Sequence, residues 1–237
     1  FPGDNFDAFF YRGLAYHRTD RFDEAIKDYE RAIQINSKNP RTYANMGVCY
    51  RAKKDHDYEN SIQNFNKAIE LNPKYEFAYF QRSFTYKEMG KYDLAINDLK
   101  QIETLNQKSP YLLDALFNVG LYYGKMSDFN SAIEYYLKRI DKEKNVSSAL
   151  NLAEAYICKK AFPDAEKWAN ESYNMSYTIQ DKIMSKFLLL TALIIDNKEY
   201  TLELKSFIEI FQNSSDFVLR EWTFDELLGC LTDSSIS

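Results

Sequence analysis

Glycine and proline are scarce in this sequence, at 7 and 5 of 237 residues. That scarcity excludes the many tight turns a β-sandwich or barrel needs. Basic charge is also short: 30 Lys and Arg stand against 35 Asp and Glu, a net charge of -5, and no long basic run occurs. Phosphate-backbone binding needs the opposite balance, so nucleic acid is excluded as a partner. The longest apolar run, Phe187 to Ile195, has nine residues, against the roughly 20 a membrane-spanning helix requires. Cys49, Cys158 and Cys230 lie far apart without paired spacing. They read as small apolar residues of a reducing compartment, which favours a cytoplasmic setting.

Catalytic ingredients are equally thin. His17 and His56 are the only histidines, and neither has a metal-ligand or triad-like spacing to Cys, Asp or Glu. No Gly-rich phosphate loop is present, so the reading is of a protein that is not an enzyme and takes no metal or cofactor. The acidic pairs Asp23-Glu24 and Asp225-Glu226 fall at expected helix starts, where negative charge suits the helix dipole. What the chain has instead is 45% hydrophobic residues, with aromatics making up 16% of the whole chain, and long stretches of helix-favouring Ala, Leu, Glu, Lys and Gln. An all-α fold with a substantial core follows.

A period organises this material. Phe9, Gly13 and Tyr16 recur as Tyr43, Gly47 and Tyr50, then as Tyr79, Ser83 and Tyr86: aromatic, small, aromatic at spacings of four and three. The halves that follow match as well, with Phe22, Ala25, Tyr29 and Ala32 answered by Tyr58, Ser61, Phe65 and Ala68, and the series continued by Tyr92 and Ala95. A fourth copy runs from Gly120 and Tyr123 through Phe129, Ala132 and Tyr136, and a fifth from Ala153 and Tyr156 through Phe162 and Ala165. A degenerate sixth keeps Phe187, Thr191, Tyr200, Leu204 and Phe207. The four-plus-three spacing sets large and small residues on one helical face and lets two antiparallel helices approach closely. Each hairpin still exposes an apolar side that only a neighbouring hairpin covers.

These residues resemble the tetratricopeptide-repeat (TPR) family, over about Phe6 to Phe211; the segment Ser61 to Pro73 is the best single match. The resemblance implies a right-handed α-solenoid of about six helix-turn-helix repeats in one domain, 1–237. The repeats are expected at 6–39, 40–75, 76–109, 113–144, 146–179 and 184–216, with a C-terminal cap at 217–237. The second is two residues longer than the first because Lys53 to Asp57 extends its turn. In the last segment Thr223 and Glu226 form a capping box and Trp222 and Leu227 a hydrophobic staple, so a short helix is expected from near Phe224 to Leu231.

The resemblance also implies a concave surface lined by the first helix of each hairpin, with ligand contacts at positions flanking the small residue. Here those positions give an apolar, aromatic groove: Phe10, Leu14, Arg41, Val48, Phe80, Phe84, Phe117, Leu121 and Leu150. Such rings equally suit packing against the second helices, since aromatic stripes at helical spacing are usually core. Arg18, Arg41, Arg51, Lys87 and Lys125 would add a basic margin that favours acidic flanks in a partner. Some relatives hold a chaperone's C-terminal carboxylate with Lys, Asn and Arg side chains. Only Asn45 stands in place here, with Phe10, Leu14, Phe77 and Gln81 at the other positions, so that ligand class is rejected. The expected function is a protein-interaction scaffold binding a peptide or helix of a partner protein. The alternative is a regulatory or sensor module of a larger effector protein, which the absence of an initial methionine before Phe1 favours. Self-association through a solenoid end is a further expectation, as is the segment Phe217 to Leu231 either capping the last repeat or folding into the groove.

Overall fold

A computed structural model describes residues 5–212, and every regular element among them is an α-helix. The expected helix near Phe224, its capping box and staple, the cap at 217–237 and Cys230 lie outside the described residues. The helices follow one another in six hairpins: α1 (Phe6–Arg18) with α2 (Phe22–Ile35), α3 (Pro40–Ala52) with α4 (Tyr58–Leu71), and α5 (Glu76–Glu88) with α6 (Tyr92–Leu105). Then come α7 (Leu112–Lys125) with α8 (Phe129–Lys142), α9 (Val146–Cys158) with α10 (Phe162–Met175), and α11 (Ile179–Ile195) with α12 (Thr201–Gln212). They form two compact units divided between Ala115 and Leu116.

Polar side chains set where several helices begin. Asn5 and Asn39 accept hydrogen bonds from Asp7 N and Arg41 N, and Pro40 occupies the first turn of α3, where its missing N–H costs nothing. Asp57, Asp128, Asn145 and Thr178 each accept from the amide three residues on. Between the two helices of every hairpin, one residue has a positive φ: Asp20, His56, Gly90, Ser127, Lys160 and Asn197. In five of these turns the next residue donates its N–H to the carbonyl five back, at 2.8–2.9 Å: Arg21 to Tyr16, Lys91 to Tyr86, Asp128 to Tyr123, Ala161 to Tyr156 and Lys198 to Leu193. This is the Schellman ending, which satisfies carbonyls the helix leaves open. In the longer second turn Asp57 reaches back to Tyr50 instead, over the added residues.

In three hairpins the core is a ring set against a glycine. A Cβ added to Gly13 would lie 2.7 Å from the Tyr29 ring, one added to Gly47 would lie 3.0 Å from the Phe65 ring and from Ser61 O, and one added to Gly120 would lie 2.7 Å from the Tyr136 ring. Tyr29, Phe65 and Tyr136 are buried, each between buried small residues such as Ala25 and Ala32. Buried polar pairs join the second helix of one hairpin to the first of the next: Ser61 with Thr85 at 3.1 Å, and Ser172 with Ser185 at 2.8 Å. Within hairpins, Arg12 and Arg82 each hold a buried aspartate, Asp28 and Asp98, through two hydrogen bonds. Cys49 is free and buried, which pushes its thiol up to about 12 and makes it inert. Cys158 is disulfide-bonded, so the reading of all three cysteines as lone apolar thiols fails for it.

Two stability predictions follow from these turns and contacts. Ser127 and Lys160 carry a side chain in the left-handed region, at a cost of roughly 1–2 kcal/mol that glycine partly recovers. Ser127→Gly and Lys160→Gly are expected to raise the free energy of unfolding by about 0.5–1 kcal/mol each in denaturant titrations, and a loss would contradict the turn geometry. Gly47→Leu is expected to lower it by about 3 kcal/mol, because Ser61 O is backbone and the Phe65 ring is enclosed. Unchanged stability of that variant would mean α3 and α4 are packed in another register.

Candidate functional site

In the first unit α3 lies between α1 and α5 and contacts both, so the first helices of three hairpins make one continuous face. Phe10 is only 2% exposed: it stacks on Phe6 at 5.6 Å, tilts against Tyr29 at 6.1 Å and belongs to the cluster holding Ile26, Met46 and Cys49. Its outer side is covered by the Arg41 guanidinium, 5.2 Å from the ring centroid. Leu14, one turn on, is half-buried at the edge of the same cluster. Val48 is buried with Ala44, Phe65 and Ala78. These residues therefore divide into a floor, Phe10 and Val48, and an accessible rim, Leu14 and Arg41.

The same division holds on α5. Phe80 is 9% exposed, enclosed by the edge of Phe84 at 4.9 Å and by Tyr111 at 4.9 Å. Phe84 is half-buried, and the Arg51 guanidinium lies 5.8 Å from its centroid. Arg51 is fixed in that place by donating Nη1 to Glu88 at 3.0 Å and Nη2 to Gln81 at 2.9 Å. Its Nε is buried without a hydrogen-bond partner, so the guanidinium is held by two of its three nitrogens and by the ring beside it. His17, in the last turn of α1, is half-buried, and desolvation holds its imidazole below the ordinary value of 6.5. Protonating it works against the fold, so its contribution to stability declines as pH falls from 6.5 towards the folded-state value.

Tyr111 was not legible as part of this wall. It immediately precedes α7 and is set by Ser109, whose Oγ accepts from Tyr111 N at 3.1 Å and donates to Glu76. The sequence signal was an aromatic directly after Ser109-Pro110, which alone marks only a helix start. In the second unit Phe117 is half-buried against Tyr136 at 5.9 Å and Leu121 is half-buried, while Leu150 is buried in the cluster containing Ala153, Ile157, Leu188 and Leu189.

This arrangement offers apolar rings edged by guanidinium groups, a surface chemistry suited to recognition. Among the described residues, no group of three or more His, Cys, Asp or Glu is placed to hold a metal ion, and no helix is long and apolar enough to cross a membrane. Six successive hairpins, three with the same ring-on-glycine contact and five with the same turn, define a helical-repeat protein with a solenoid fold. Models of the tetratricopeptide repeat match residues 6–39, 40–75, 64–97 and 113–141, and the chain belongs to that family.

Similar proteins agree with that assignment. An Hsp70-Hsp90 organising protein of Plasmodium falciparum is 29% identical over 153 residues, covering 53% of this chain and 27% of its own length. The chain thus spans about a quarter of that relative. Among solved structures, a MamA protein superposes with a TM-score of 0.64 at 22% identity, covering 73% of this chain and 92% of that one. PilF of Pseudomonas aeruginosa gives 0.64 at 16% identity, covering 88% and 93%. YrrB, described as a TPR protein with an unusual peptide-binding site, gives 0.63 at 14% identity, covering 77% and 90%. At these identities the likeness is one of fold.

The burial pattern predicts how two adjacent rings differ. Phe80→Ala is expected to cost about 3 kcal/mol of folding stability, the range for emptying an enclosed aromatic site. Phe84→Ala, half-buried, is expected to cost less than half as much, and equal losses in denaturant titrations would place Phe84 in the core as well.

Proposed function

We propose that the chain is a non-catalytic protein-interaction scaffold and that the face made by α1, α3 and α5 binds a peptide segment of a partner protein. The observation that carries this reading is the half-exposed ring of Phe84, held in a fixed wall by Phe80 and Arg51 and set across the face from half-exposed Leu14. A rigid, partly buried aromatic on an enclosed base is the usual anchor of a binding hot spot, because little entropy is lost when a ligand covers it. Phe10, Val48 and Phe80 act as the floor that keeps the rim residues in place. Phe117 and Leu121 are half-buried apolar residues on α7 in the second unit. The likeness to an Hsp70-Hsp90 organising protein supports a protein as the partner.

A C-terminal carboxylate is not the ligand in this reading. Phe10, Leu14, Phe77 and Gln81 supply no cation, so the charge-assisted bonds such a group requires are missing at those positions. A regulatory or sensor module within a larger effector protein would use the same face, and the same variants test it.

The test is selection of peptides from a random-sequence display library on the full chain, followed by affinity measurement with synthetic copies. Phe84→Ala is expected to weaken the selected peptides about tenfold, the effect of losing one anchor worth about 1.4 kcal/mol. Leu94→Ala, at an exposed position of α6, is expected to leave affinity unchanged. Amidating the peptide C-terminus is also expected to change nothing. If Leu94→Ala weakens binding and Phe84→Ala does not, the site lies on the second helices and the proposal fails.

A further inference from the structure

The three cysteines fall into two kinds. Cys49 is free and buried, whereas Cys158, the last residue of α9, is disulfide-bonded. The sequence holds one other cysteine, Cys230, seventy-two residues further on and outside the described residues. Cys158 therefore has a single candidate partner in its own chain. It is half-buried and borders exposed Lys159 and Lys160, so its sulfur sits at the edge of the packed unit rather than inside it.

The end of α9 is also more enclosed than the ends of the four first helices before it. Four residues after the small position, Ile157 is 3% exposed, whereas His17, Arg51 and Gly124 are half-buried and Lys87 is exposed. Five residues after it, Cys158 is half-buried, whereas Arg18, Ala52, Glu88 and Lys125 are exposed. One turn back even a charged side chain, Glu154, is buried. The neighbours α8, α10 and α11 correspond to α2, α4 and α5 around α3, so they do not account for the difference.

The segment that carries Cys230 has apolar surface to bury. Over the expected helix from Phe224 to Leu231, Phe224, Leu227, Leu228 and Leu231 fall on one face at helical spacing, and Cys230 flanks that face one turn from Leu227. The eleven residues between Gln212 and Phe224 extend over about 36 Å. The longest helix described, α11, measures roughly 25 Å over its 17 residues, so the segment can reach the end of α9.

We propose that Cys158 and Cys230 are joined, and that this bond latches the C-terminal segment, apolar face inward, over the last turn of α9. The face made by α1, α3 and α5 has no part in it. A segment that only capped α12 would leave Cys230 beside the sixth hairpin, whereas a bond to Cys158 draws it to the fifth and supplies the cover over Ile157. Closing the latch passes two electrons and two protons from the two thiols to a disulfide oxidant such as glutathione disulfide, which leaves as two glutathione thiols. A dithiol reverses the step and ends as its own disulfide. The latch is thus held where disulfides persist and released where thiols are kept reduced.

The test compares the full chain equilibrated with glutathione disulfide and the same chain treated with dithiothreitol. Proteolysis of the oxidised chain without reductant is expected to yield one linked peptide pair containing Cys158 and Cys230, with Cys49 the only cysteine alkylated in denaturant. Reduction is expected to speed hydrogen exchange in the last turn of α9 about tenfold or more, because a tie across so long a loop opposes release by at least that factor. Cys230→Ser is expected to match the reduced parent and to be indifferent to dithiothreitol, which separates the latch from any other effect of the reductant. A link between the Cys158 residues of two chains, or three alkylated cysteines after oxidation, would overturn the pairing. A linked pair whose reduction leaves exchange in α9 unchanged would mean a tie without cover, and the latch fails.

Discussion

Three of the six hairpins depend on one contact: a large ring on the second helix pressed against a glycine on the first. Tyr29 on Gly13, Phe65 on Gly47 and Tyr136 on Gly120 bring the two helices close enough that an added Cβ would press on the ring, at 2.7–3.0 Å. The contact is short-range and steric, so it fixes the distance and rotation of the helices together. Once they are fixed, the residues on either side of the glycine have no choice of direction. One turn before it, Phe10 and Phe80 are turned inward, and one residue after it, Leu14 and Phe84 stay partly in solvent. The recognition face is thus a by-product of hairpin packing.

The arginines show how charge is handled around that packing. Arg82 and Asp98 are both largely enclosed, with side-chain exposures of 16% and 6%, and satisfy each other through paired hydrogen bonds. Arg12 makes the same pair with Asp28 from a more exposed position, so solvent screens more of its benefit. Arg41 and Arg51 lie over phenylalanines on the neighbouring first helices, Arg51 while also paired with Glu88 and Arg41 with the aromatic face supplying part of what a carboxylate would. Of these four only Arg41 holds no carboxylate among the described residues.

The family and the helical hairpins were legible in the sequence because the aromatic and small residues recur at fixed spacing, and a steric contact of that kind leaves few alternatives. The turns were less legible: the left-handed residue is glycine only at Gly90, Asp20, His56 and Asn197 are of types that tolerate that region, and Ser127 and Lys160 give no local hint that the backbone turns there. The candidate site was legible as a set of positions but not as a division into floor and rim. Phe80 and Phe84 look equivalent one turn apart in sequence, and only the placement of Tyr111, delivered by the chain before α7, buries the first and spares the second. The placement of Arg41 was hidden for a related reason, since its neighbours Phe10 and Tyr75 are 31 residues before it and 34 after it in the chain.

The central claim is that ligands meet the first helices, and methyl-resolved NMR of the full chain with a selected peptide tests it most directly. The account predicts that the methyl signals of Leu14 and Val48 move on titration while those of Leu94 and Leu137, exposed on second helices, stay in place. Movement of Leu94 and Leu137 with Leu14 and Val48 unchanged would contradict it.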